Sequence, residues 1–122
     1  MKFELKQQFQ IESARFLPNL PAHHPCSRLH GHSFKIVLKL TGPLDEKIGW
    51  VMDYHEIQQK MLPLLSQLDH RTLNDVEGLT NPTSELLAKW IFERAQKFIP
   101  FLTQVSIQET SLTECSYPVL NQ

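Results

Sequence analysis

The sequence predicts an α+β fold, a four-stranded antiparallel sheet with two helices on one face, in the chain order strand, strand, helix, helix, strand, strand. Two-residue alternation marks residues 3–13 and 34–41 and returns after Pro100, which is the period of half-buried strands. Between these stretches, apolar residues recur at helical spacing behind capping residues. At 122 residues, the chain is read as one domain over 1–122.

In the first strand Phe3 and Leu5, then Phe9, Ile11 and Ser13, alternate with polar partners, and Gln7-Gln8 reads as a bulge. Residues 17–25 (LPNLPAHHP) hold three prolines, which fix the backbone and remove donors, so an ordered loop is expected. The second strand places Phe34, Ile36, Leu38 and Leu40 on one face and ends at Gly42-Pro43, pairing with the first as a long hairpin. Asp53 and Glu56 form a capping box before a helix over about 54–68, which Pro63 should kink. A second helix opens at Asn81-Pro82-Thr83 and is expected to bury Leu86, Leu87, Trp90, Ile91 and Phe98. Val105 and Ile107 mark a third strand, and Tyr117 to Leu120 a short fourth. Such a sheet has open edges that invite a neighbouring copy.

The 12 basic and 13 acidic residues give a net charge of −1, so no global field draws nucleic acid or an anionic membrane to the chain. Its two cysteines, without a signal peptide or long apolar run, argue for free thiols in the cytoplasm.

Chemistry is concentrated in Cys26-Ser27-Arg28-Leu29-His30-Gly31-His32, a thiol and two imidazoles within seven residues at the start of a strand. On a strand, His30 and His32 share a face with Gly31 leaving room between them, and two neutral imidazoles suit zinc or a similar transition metal. Cys26 is open to three roles: ligand, nucleophile or base. Asp69-His70 couples a carboxylate to an imidazole, the ordinary way to fix a tautomer and tune a base. Glu109 closes the third strand, where a carboxylate accepts two hydrogen bonds from an amidine-like heterocycle edge. Glu85 reads as support for a helix start.

These residues fall into six ordered motifs: Cys26-x3-His30-Gly31-His32-Ser33-Phe34, Gly49-Trp50-Val51-Met52-Asp53-Tyr54, Leu68-Asp69-His70, Leu73-Asn74-Asp75, Asn81-Pro82-Thr83-Ser84-Glu85 and Gln108-Glu109-Thr110. Together they resemble the 6-pyruvoyl-tetrahydropterin synthase family over about residues 9–118, and within it the 6-carboxy-tetrahydropterin synthase branch. The resemblance implies the tunnelling fold, with sheets of several subunits joined into a barrel as a homohexamer of two trimers and active sites between subunits. It also implies a lyase acting on 7,8-dihydroneopterin triphosphate, which releases acetaldehyde and triphosphate and forms 6-carboxy-tetrahydropterin for queuosine synthesis. By matching position, Cys26, Asp69 and His70 are catalytic, Glu109 anchors the pterin, and His30 and His32 bind Zn2+.

One position departs from the pattern. The family's first zinc ligand is a histidine near the end of strand one, and Arg15 stands there in this chain. A guanidinium has no free lone pair and stays protonated. Either another histidine, with His24 expected before His23, becomes the third ligand, or the metal is weakened or lost and Arg15 supplies a positive charge in its place. Two further readings follow: a 6-pyruvoyl-tetrahydropterin synthase, or a paralogue that binds a pterin or a metal without this turnover.

Overall fold

The computed structural model describes residues 1–120. Strands β1 (Lys2–Arg15) and β2 (His30–Pro43) are followed by helices α1 (Tyr54–Leu65) and α2 (Ser84–Ala95), then strands β3 (Leu102–Thr110) and β4 (Thr113–Tyr117). The four strands form one antiparallel sheet in the order β1-β2-β3-β4, so β1 and β4 are its edges.

Alternation sets which face is buried. Phe34, Ile36, Leu38 and Leu40 are fully buried on β2, beside Ile11 of β1 and Val105 and Ile107 of β3. Against them pack Ile57, Met61, Leu64 and Leu65 of α1 and Leu87, Ala88, Trp90 and Ile91 of α2. Burying one such side chain is worth roughly 1.5–3 kcal/mol, so this single layer between sheet and helices dominates the stability of the chain. The Trp90 indole donates to the Glu77 carbonyl at 2.9 Å and lies under the Arg94 guanidinium, 4.1 Å from the ring centroid. Gly42 is needed where β2 meets Phe101, because an added Cβ would lie 2.8 Å from the phenyl ring.

Several elements differ from the sequence reading. The β1–β2 register runs unbroken from Lys2↔Pro43 to Arg15↔His30, so Gln7-Gln8 forms no bulge. Gln7 keeps its place in the inward row and donates to the Tyr54 carbonyl at 3.3 Å. The register shifts fall instead between Lys39 and Leu40 and in the β3–β4 pair. Helix α1 stops at Leu65 and passes through overlapping turns to Asp69. Asp53 caps it by accepting from His55 N–H at 3.0 Å, but Glu56 pairs with Lys60 rather than closing a capping box. Leu86 is exposed, and Phe98 lies beyond the end of α2. Strand β4 occupies Thr113–Tyr117, earlier than its apolar residues suggest, because an edge strand pairs through its backbone and tolerates polar side chains.

Candidate active site

The paired ends of β1 and β2 bring the histidines together. Arg15 lies opposite His30 and Ser13 opposite His32, while period two keeps His30, His32 and Phe34 in one row. The His30 and His32 rings meet edge to face with centroids 4.5 Å apart, and His32 lies 5.5 Å from Phe34. His30 Nδ1 lies 2.6 Å from the Arg28 carbonyl, which only accepts, so this nitrogen is the donor and Nε2 is the ring nitrogen left for a ligand. Burial, then the nearby Arg15 and His30, hold His32 below the usual imidazole range, with Glu109 opposing. A Cβ at Gly31 would meet nothing within 4 Å, so the spacing of the histidines comes from the strand and not from this glycine.

Arg15 is buried beside this pair. Its guanidinium donates to the carbonyl of Pro82 at 3.0 Å, forms an ion pair with Glu109, and lies 5.2 Å from the centre of the Phe34 ring. Glu109 also accepts from the Ser84 hydroxyl, and its carboxylate stands 3.9 Å from His32 Nε2. Asn81-Pro82-Thr83-Ser84 thus serves two ends: Thr83 caps α2 by accepting from Leu86 N–H at 3.2 Å, and Pro82 and Ser84 hold the Arg15–Glu109 pair.

Asp69 and His70 are tied to the end of β1. The Asp69 carboxylate accepts Glu12 N–H at 2.8 Å, and the Glu12 carbonyl accepts His70 N–H at 2.6 Å. Ser13 Oγ donates to Leu68 O at 2.6 Å, and Ala14 N–H donates to Arg71 O at 2.9 Å. This stitching holds His70 in the left-handed region at φ 57, with its Nδ1 3.0 Å from Asp69. The Glu12 amide, ahead of His70, holds the Asp69 carboxyl below the usual carboxylate range. The His70 ring is 77% exposed and lines an open groove of about 540 Å³ with Glu12, Gly31, His32 and Arg71.

Cys26 sits in a short 3-10 turn, Pro25–Ser27, at the end of the proline-rich loop, and its carbonyl accepts Leu17 N–H at 2.8 Å. It is half-buried, and no hydrogen bond joins it to Asp69 or His70 among the described residues. His24 caps the same turn, with Nδ1 accepting Cys26 N–H at 3.1 Å, and His23 is exposed. Burial, then Glu85 and Glu109, push the other thiol, Cys115, up, away from a reactive thiolate.

The residues present do not fit a three-ligand zinc site. His30 and His32 are paired and His30 Nε2 is left for a ligand, but no group of three His, Cys, Asp or Glu suited to a metal occurs among the described residues. The residue opposite His30 on β1 is the buried Arg15, whose guanidinium offers only N–H groups, one of them, Nε, without an acceptor.

Glu12, Phe34, Asn74 and Ser84 had no site role in the sequence reading, although the last three lie within its motifs. Asn74 accepts Phe16 N–H at 3.0 Å and donates to Phe16 O at 2.8 Å, fixing the chain just past Arg15. Its signal was the Leu73-Asn74-Asp75 motif, as that of Ser84 was Asn81-Pro82-Thr83-Ser84-Glu85; Glu12 carries no signal until its partners are known.

A family model described as 6-pyruvoyl tetrahydropterin synthase matches residues 4–119. A 6-carboxy-5,6,7,8-tetrahydropterin synthase of Synechocystis is 38% identical, covering 91% of this chain and 89% of the relative. Its Bacillus subtilis counterpart is 29% identical, covering 94% and 84%. The solved 6-pyruvoyl tetrahydropterin synthase of Caenorhabditis elegans superposes with a TM-score of 0.86 at 25% identity, over 96% of this chain and 95% of that one. The ββααββ order, the six motifs and these matches agree, and the chain belongs to the 6-pyruvoyl tetrahydropterin synthase family.

Proposed function

We propose that this chain is a lyase of the 6-carboxy-5,6,7,8-tetrahydropterin synthase type, converting 7,8-dihydroneopterin triphosphate and water to 6-carboxy-tetrahydropterin, acetaldehyde and triphosphate, in queuosine synthesis. The observation that carries this reading is the set Cys26-x3-His30-Gly31-His32 with Asp69-His70, in a chain 38% identical to a relative of that name. In this reading the Cys26 thiolate takes a proton from the substrate side chain and His70, oriented by Asp69, returns one to it. Glu109 anchors the pterin ring: a carboxylate has about four acceptor positions, and Arg15 and Ser84 use two of them. The Zn2+ and the His24 ligand expected from the resemblance enter no step of this mechanism, because the site lacks a third donor.

The active form is a homohexamer in the cytoplasm, with each site shared between subunits. Three observations support the assembly: the edges at β4 and along β1 ahead of Glu12, which no strand of the described residues covers, the exposed Phe3, Trp50 and Tyr54 around one apolar hollow, and the lack of any bond from Cys26 to Asp69-His70 within one chain. No helix among the described residues is long and apolar enough to cross a membrane.

Arg15 favours a second reading, a paralogue that binds pterin without this turnover. Incubation with 7,8-dihydroneopterin triphosphate and product analysis separates the two. Acetaldehyde with 6-carboxy-tetrahydropterin supports the first reading. Formation of 6-pyruvoyl-tetrahydropterin instead assigns the animal-type reaction, and tight pterin binding without product assigns the paralogue.

A further inference from the structure

The geometry points to Arg15 as a built-in cation that replaces a divalent metal between His30, His32 and Glu109, leaving this site metal-free. A metal needs a third lone pair beside the two imidazoles, and Arg15, paired with His30 across the strands and sharing Glu109 Oε1 with His32, brings only the N–H groups of a guanidinium. Its positive charge also opposes a cation held by His30 and His32.

Nor is Arg15 free to swing away. It is 4% exposed, with Pro82 O, the Glu109 carboxylate and the Phe34 ring around it, three contacts from three separate segments. Glu109 is in turn fixed by Ser84. This pocket therefore has the parts of a permanent ion pair: a cation, its counter-charge, and supports for both. His32 stands beside the carboxylate of that pair, 3.9 Å away, and keeps the place in which a metal ligand would stand.

The inference about metal affinity stands apart from the proposed reaction, and only its claim of metal-free turnover rests on that reading. The test measures zinc itself. Protein produced in zinc-supplemented medium, then dialysed, should hold less than about one-tenth of an equivalent by elemental analysis, and zinc should not raise its melting temperature. Arg15→His should take up about one equivalent per chain and gain a zinc-dependent rise in melting temperature, both lost on adding His30→Ala and His32→Ala. Stoichiometric zinc in the parent overturns the inference, as does a folded Arg15→His protein that remains zinc-free. Should Arg15→His not fold, the parent decides alone: a calorimetric zinc titration that finds a site dependent on His30 and His32 overturns the inference, and an empty titration upholds it. Product formation by the parent in excess EDTA is expected, and product that appears only with added zinc overturns metal-free turnover. No product under either condition counts against the proposed reaction while leaving the zinc measurements to decide the site.

Discussion

The Arg15 guanidinium and the Glu109 carboxylate, 94 positions apart, are ion-paired across the middle strand β2, joining the end of β1 to the end of β3. One partner is almost wholly buried and the other largely so. In such a pair, desolvation offsets much of the attraction, so its removal as a unit is cheap while loss of one partner is not.

Glu109→Ala should therefore destabilise the chain by roughly 2–4 kcal/mol, because it strands the buried Arg15 charge. The double change Arg15→Met with Glu109→Ala should recover at least half of that loss. Urea unfolding of the parent, both single variants and the double variant gives the coupling energy, and strictly additive changes would show that the pair does not act as a unit.

Acid should loosen the turn that carries His70. The Asp69 carboxyl is held low in the fold by the Glu12 amide, so the folded state releases its proton more readily than the unfolded chain. The stability from this bond is thus present above the unfolded value near pH 4 and disappears as pH falls through the lower, folded value. Ser33 and Gln10 hold the Glu12 carboxyl low in the same sense. Asp69→Asn keeps an acceptor but not the charge. Allowing for its exposure, the variant should lose about 1 kcal/mol at pH 7 and show a shallower loss between about pH 5 and pH 2. Parallel stability profiles for parent and variant would contradict this account.

Gly31 gives a prediction with little cost to the fold. A side chain there meets nothing within 4 Å in the single chain, yet the residue lines the groove shared with His32 and His70. Gly31→Ala should leave stability within about 0.5 kcal/mol of the parent. A fall in pterin affinity measured by fluorescence titration would then report the groove itself, whereas unchanged affinity would place the ligand elsewhere.

How far the sequence disclosed this molecule depends on the range of each signal. Strand β2 was legible because Phe34, Ile36, Leu38 and Leu40 alternate without interruption, and the buried row is the one expected. Strand β4 was misplaced because Thr113-Glu114-Cys115 has no apolar pattern; an edge strand is held through backbone bonds that composition does not record. The pairing of His30 with His32 follows from spacing two on a strand. The engagement of Arg15 with Glu109, Pro82 and Phe34 depends on segments distant in the chain, and no local pattern encodes it. Arg15 marked the departure at this site, while its partners emerged only from the fold.

The thiol and the acid-base pair lie on different parts of one chain, with no bond between Cys26 and Asp69-His70, and this sets up a test of shared sites. Cys26→Ala alone and His70→Ala alone should each lower turnover by at least about a hundredfold, since each removes one proton-transfer group. Both should keep the parent's melting temperature to within a few degrees, because Cys26 sits in a loop and the His70 ring is exposed. If every site takes its thiol from one subunit and its imidazole from the next, co-assembly of the two inactive variants rebuilds some sites. A site then needs Cys26 from a His70→Ala subunit and His70 from a Cys26→Ala subunit. Each occurs in half of a random equal mixture, so about one quarter of the parent's activity should return. Unfolding and refolding the variants together, with separately refolded variants mixed afterwards as the control, makes the measurement. Sites built within single subunits would leave the co-refolded mixture as inactive as its components, and that result would rule out the shared site.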